Sequence, residues 1–108
     1  MDILFLNPAM ETLCYDERLQ QRQLGKVGAK RLRSRLSDIE AAARVTDLVA
    51  GRPHPLKGDR AGQYALDLDG GQRLVFVTVD TPPPVRDDGS IAWDRVTRVR
   101  IVFIGDYA

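Results

Sequence analysis

Tyr64-Ala65-Leu66-Asp67-Leu68-Asp69-Gly70-Gly71-Gln72-Arg73-Leu74-Val75-Phe76-Val77-Thr78-Val79 is the stretch from which the fold is read. From Gln63 onward the apolar period is two: Tyr64, Leu66 and Leu68 face one way, Ala65, Asp67 and Asp69 the other. That alternation is a half-buried strand. Gly70-Gly71 predicts a two-residue turn into a second strand, Arg73 to Val79, so the stretch folds as a β-hairpin. With that turn, Asp69 opposes Gln72 and Asp67 opposes Leu74, and the side taken by Arg73 depends on the register.

Working outward toward the C-terminus, Asp80 to Asp94 holds Pro82-Pro83-Pro84 and Asp87-Asp88-Gly89-Ser90, which cannot continue a ladder and predict an exposed loop. Thr97 to Ile104 then reads as a last strand, Val99, Ile101 and Phe103 on one face, Arg98, Arg100 and Val102 on the other. Toward the N-terminus, Gly51-Arg52-Pro53 stops a turn of helix at Val45 to Ala50. Before it, Ala29, Leu32, Leu36, Ile39 and Ala43 make one apolar stripe on a helix from about Lys26 to Ala43. An earlier helix is expected over about 8 to 22, with Asn7 as N-cap and Pro8 at its first position. Ile3 to Leu6 completes a short buried strand over residues 2 to 6. Strand, two or three helices, then a three-stranded meander define an α+β chain.

The 108 residues suit one domain spanning 1–108. Cys14 and His54 are the only cysteine and histidine, which excludes an intramolecular disulfide and a zinc finger; no metal or small-molecule cofactor is expected. The opening residues lack a basic n-region, and the apolar runs Leu74 to Val77 and Ile101 to Ile104 are far shorter than the ~20 residues of a membrane span. A cytoplasmic protein without a membrane partner is expected. Net charge is +1, but residues 1–16 carry −3, residues 17–60 carry +6 and residues 61–108 carry −2, so a basic middle lies behind the neutral average. Arginine outnumbers lysine 13 to 3, which coding bias explains as readily as nucleic-acid binding does.

The densest polar constellation is His54-Pro55-Leu56-Lys57-Gly58-Asp59-Arg60, with Arg73 following across the hairpin. Lys57, Arg60 and Arg73 beside the only imidazole suit a phosphate group. The same spacing also fits solvated loop charges, one of them neutralised by Asp59, with a structural His54 between two prolines. A second basic face, Lys26, Lys30 and Arg33, lies on the helix and is a candidate for RNA docking, though it carries no helix-turn-helix recognition pattern.

The block His54 to Arg60, the alternating Tyr64, Leu66 and Leu68, then Arg73-Leu74-Val75-Phe76, and a last strand closing on Asp106-Tyr107 resemble the RelE/ParE superfamily of type II toxins, in particular its HigB-like branch. The resemblance implies helices packed on a curved, mainly antiparallel sheet. It implies a ribosome-dependent mRNA endonuclease that works in the ribosomal A site, and a cognate helix-turn-helix antitoxin. Carried onto this chain, the functional sites fall on His54, Lys57, Arg73, Asp106 and Tyr107, with Arg60 as a supporting phosphate contact. A member of the ParE kind, binding gyrase without nuclease activity, or an attenuated regulatory relative, would share the fold.

Attack of a 2′-hydroxyl on the adjacent phosphate needs a base, cationic donors and an acid. Arg73 and Arg60 can only be donors, because guanidinium keeps its proton. Lys57 or His54 then moves the proton, Tyr107 stacks on a base, and Asp106 orients a cation. The family pattern commonly finishes Asp-Tyr-His, where this chain has Asp106-Tyr107-Ala108. A positioned acid or base is worth about 10²–10⁴ in rate. Ala108→His is therefore expected to raise single-turnover cleavage on the ribosome by at least about tenfold with little change in affinity; equal rates would show that His54 and Lys57 suffice.

Overall fold

The computed structural model describes residues 1–107, so the expectation for Ala108 lies outside the described residues. The chain runs β1 (Asp2–Phe5), α1 (Pro8–Tyr15), α2 (Glu17–Ala41), β2 (His54–Pro55), β3 (Tyr64–Asp67), β4 (Arg73–Thr78) and β5 (Arg98–Gly105), with three short 3₁₀ turns between. The five strands form one sheet in the order β1-β5-β4-β3-β2. β1 pairs parallel to β5, and every other pair is antiparallel.

The α+β expectation holds, with changes that have local causes. The first helix stops at Tyr15 because the Asp16 carboxylate accepts from Leu19 N–H at 3.0 Å and opens a new helix. The second is longer than its apolar stripe suggests, but it is interrupted at Gly25, whose φ of 77° and ψ of 173° no side chain tolerates easily. Arg33 Nη1 donates to Gln20 Oε1 at 3.1 Å, thirteen residues apart. On a continuous helix that separation is about 20 Å, so the two halves of α2 fold back on one another at Gly25. Buried Gln20 also donates to Cys14 O at 3.0 Å, joining α1 to this helical hairpin. The ammonium of Met1 donates to the carbonyls of Ile39, Glu40 and Ala42, satisfying the open end of α2 beside β1.

Ala29, Leu32, Leu36 and Ile39 are buried as the stripe requires, and the last three join Leu66, Leu74, Phe76, Val99 and Ile101 in one core. Ala43 lies past the helix end and is exposed. The expected helical turn at Val45 to Ala50 shrinks to a 3₁₀ turn, Val45–Asp47. The segment Asp80 to Asp94 is not simply an exposed loop. A bridge between Val85 and Ile91 folds it back, and Trp93 enters the core with its ring 4.8 Å from Tyr64 and 6.2 Å from Phe76. No described helix is long and apolar enough to cross a membrane.

Two register findings decide what the sheet presents to solvent. First, Leu68 N–H donates to Gln72 O and Gln72 N–H to Asp69 O, both at 2.9 Å, so Asp69, Gly70 and Gly71 form a three-residue turn with Gly70 at φ 56°. Asp67 therefore pairs with Arg73, not with Leu74. Second, β5 pairs Phe103 with Val75 but Ile101 with Phe76, which leaves Val102 as an extra residue, a β-bulge. The bulge sends Phe103 to the face opposite Val99 and Ile101, where the simple alternation does not place it. Gln72 docks the hairpin on the helices, its Nε2 donating to Leu24 O at 3.0 Å just before Gly25.

Because the Gly25 backbone lies in a region open essentially to glycine alone, Gly25→Ala should destabilise the fold by about 1–3 kcal/mol. Urea unfolding measures this, and an unchanged midpoint would show that the helical hairpin does not depend on that conformation.

Candidate functional site

Strand alternation sends Leu66, Leu74 and Phe76 to the core and their neighbours to the opposite side of the sheet. Two cross-strand rows result there. Asp67 of β3, Arg73 of β4 and Gly105 of β5 form one, and Asp67 N–H donates to Gly51 O, which brings Arg52 to its open end. His54 of β2, Ala65, Val75 and Phe103 form the other. The rows are two residues apart along the strands, about 7 Å. Ala65 and Val75 are fully buried and make the floor.

In the first row the Asp67 carboxylate lies between two guanidinium groups. Arg52 Nε donates to Oδ2 at 2.9 Å. Arg73 Nε lies 2.9 Å from Oδ1 as an ion pair, but its N–H is not aimed along that line, and Oδ1 accepts no directed hydrogen bond among the described residues. Arg73 Nη1 is spent on the carbonyls of Gly70 and Gln72. Arg52 is 67% exposed in its side chain and has a left-handed backbone, φ 48°. The Asp67 hydrogen bond and charge raise the Arg52 pKa, with a further contribution from Tyr107, so the charged row and the chain end are within electrostatic reach.

In the second row His54 Nδ1 lies 2.7 Å from Arg52 O. A carbonyl only accepts, so Nδ1 is the donor, and in the neutral imidazole that tautomer leaves the lone pair on Nε2. The Arg60 guanidinium stacks 4.7 Å from the Phe103 ring centre and 4.3 Å from that of Tyr107, the two rings meeting edge to face at 5.5 Å. Arg60 also donates to Gln63 Oε1 at 3.0 Å. Such stacking is worth about 0.5–2 kcal/mol and holds the cation in place. The Asp106 carboxylate lies so close over Gly71 that a β-carbon there would sit 2.6 Å from Oδ2.

Of the residues expected in the site, His54, Arg60, Arg73 and Tyr107 are thus positioned from one face of the sheet. Exposed Lys57 begins the turn that carries Arg60, and its ammonium makes no hydrogen bond or ion pair among the described residues. Asp59 likewise neutralises neither Lys57 nor Arg60. On α2, Lys26 and Lys30 are exposed, but Arg33 is half-buried and bound to Gln20 within the helical hairpin. The sequence reading missed Arg52, Asp67 and Phe103. Arg52 looked like part of a helix stop, Asp67 like an ordinary outward position, and Phe103 changes face only through the bulge.

No family model and no curated protein matches the chain. Solved structures do. The chain superposes over its full length on all of a YoeB/ParE toxin from Agrobacterium tumefaciens, TM-score 0.59 at 16% identity. It also covers 98% of the matched chain in a YoeB-YefM complex from Staphylococcus aureus, TM-score 0.56 at 18% identity, and 98% of that in a YoeB dimer from the same organism, TM-score 0.56 at 20% identity. The fold is therefore that of the YoeB/ParE toxins.

Cys14 takes no part in this face. It is buried, and desolvation, then the Glu11 charge, push its thiol up to about 12. At pH 8 the folded thiol should react with a disulfide reagent roughly a thousandfold more slowly than the unfolded thiol, the effect of three pKa units on thiolate content. Because the folded pKa is the higher one, stability contributed by the neutral thiol is present below the ordinary value of 9.0 and is lost as pH rises toward about 12. Equal reactivity of Cys14 before and after unfolding would contradict this placement.

Proposed function

We propose that this chain, acting as one domain over 1–108, is the toxin of a type II toxin–antitoxin system and a ribosome-dependent mRNA endonuclease of the cytoplasm. The observation that carries the reading is the single sheet face on which an imidazole with an available Nε2, the cations Arg60 and Arg73, and the rings of Phe103 and Tyr107 stand together in a YoeB/ParE toxin fold. The HigB-like assignment rests on the block His54 to Arg60 with Arg73.

His54 Nε2 takes the proton of the attacking 2′-hydroxyl, while its Nδ1–H, held by Arg52 O, keeps the tautomer correct. The new bond forms from O2′ to phosphorus, and the bond to the leaving 5′-oxygen breaks, giving a cyclic 2′,3′-phosphate. Arg73 and Arg60 stabilise the charge of the pentavalent state. The protonated imidazole or Lys57 returns a proton to the 5′-oxygen, Tyr107 supports an unstacked base, and Asp106 orients the turn at Gly71. Lys26 and Lys30 supply long-range attraction to ribosomal RNA, with Arg33 behind them. The partners are the ribosomal A site with its mRNA and a helix-turn-helix antitoxin; the S. aureus YoeB relative was solved in complex with YefM. A gyrase-binding role needs only the helical surface and leaves this face without a purpose.

Induction in cells followed by mapping of mRNA 5′ ends should show cuts confined to translated frames and silenced by the antitoxin. His54→Gln, at a half-buried edge position, should lower the cleavage rate by about 10²–10⁴ without unfolding the chain. Arg73→Ala is a poorer probe, because it also removes one of the two cations paired with Asp67. Cuts that do not depend on translation, or a fully active His54→Gln protein, would contradict the proposal.

A further inference from the structure

The row Arg52, Asp67, Arg73, Gly105 contains more positive charge than a carboxylate of its geometry satisfies. Asp67 engages both guanidinium groups only through their Nε atoms. The Nη groups of Arg52 have no partner among the described residues, and Asp67 Oδ1 accepts no directed hydrogen bond. Gly105, opposite Arg73, places no side chain over the row. Arg52 projects from an exposed position in a left-handed backbone, next to the carbonyl that holds His54.

We propose that Arg52 is a ligand for a phosphodiester oxyanion, together with Arg73, and that Asp67 occupies this site in the free protein until a phosphate displaces it. A phosphate presents two non-bridging oxygens with a wider span than a carboxylate and accepts forked pairs from both arginines. That the oxyanion belongs to RNA rests on the endonuclease reading; the anion site itself does not. With Arg73 common to the anion site and the proposed catalytic site, and His54 one row away, it is the part of the same site that receives a non-bridging oxygen of the scissile phosphate. Release of Asp67 then accompanies RNA binding, so the free protein holds its own cations neutralised and presents a weaker field to stray polyanions.

The experiment is a titration of the full chain with inorganic phosphate, followed by amide and arginine Nε–H chemical shifts. Asp67→Asn should bind phosphate at least about tenfold more tightly than the unaltered protein, as expected when a competing charge leaves a cation pair. Arg52→Gln added to it should remove the gain. Asp69→Asn takes one charge from the same hairpin, where Asp69 faces Arg31 rather than Arg52 or Arg73, and should leave the affinity unchanged. An absent gain in Asp67→Asn, or an equal gain in Asp69→Asn, overturns the proposal. Should Asp67→Asn lose its folded amide spectrum, Arg52→Gln alone decides: weaker phosphate binding supports the site, and unchanged binding overturns it. Phosphate binding needs no ribosome, so a protein that shows these shifts but cuts no mRNA keeps the anion site and loses the endonuclease reading. A protein that cuts mRNA without the gain does the reverse.

Discussion

The β3–β4 register that sets Asp67 opposite Arg73 is the constraint on which the open face depends. Asp67 stands at the meeting point of three segments: its N–H reaches Gly51 O, its carbonyl accepts from Arg35 Nε on α2, and its carboxylate lies between Arg52 and Arg73. The first two bonds bring the segment before β2 and helix α2 alongside β3. A slip of one residue would turn Asp67 and Arg73 to the core and Leu66 and Leu74 to water. Half-buried charge and buried leucine therefore enforce the same register from opposite faces.

On that register rest the two rows of side chains. Arg73 has little freedom, since its Nε and Nη1 are both engaged, and it acts as a fixed positive point. Arg60 is held differently, by the faces of two rings, and Phe103 is available for this only because Val102 bulges out of the ladder. The bulge and the three-residue turn thus bring Phe103 and Arg73 to one face of the sheet, the arrangement of cation and ring on which the proposed function rests.

Much of the fold was legible in the sequence because period and punctuation are strong signals. The helical stripe, the alternation from Tyr64 to Leu68 and the glycine turn each have a direct physical cause. Less legible was anything decided by a single inserted residue. Gly70-Gly71 resembles a two-residue turn, yet Asp69 joins the loop, and that difference replaces Leu74 by Arg73 as the partner of Asp67. Val102 has no marker that distinguishes it from a strand residue, so Phe103 was assigned to the wrong face. Trp93 lay in a proline-rich segment whose composition suggested exposure, and only tertiary packing with Tyr64 and Phe76 draws it inward. His54, Arg60 and Arg73 stood out as a polar constellation and Tyr107 came through resemblance, whereas Arg52 and Asp67 required coordinates.

The account makes the sheet face of His54, Arg60, Arg73, Phe103 and Tyr107 the surface that meets RNA. The most direct measurement is amide shift mapping of the isotopically labelled chain with a short oligoribonucleotide whose 2′-hydroxyls are methylated, so that it binds without being cut. The account predicts shifts concentrated at residues 52–60, 73 and 103–107, with the core side of the sheet unaffected. Shifts confined to the helix face of Lys26 and Lys30, or to the core-facing side of the sheet, would contradict it.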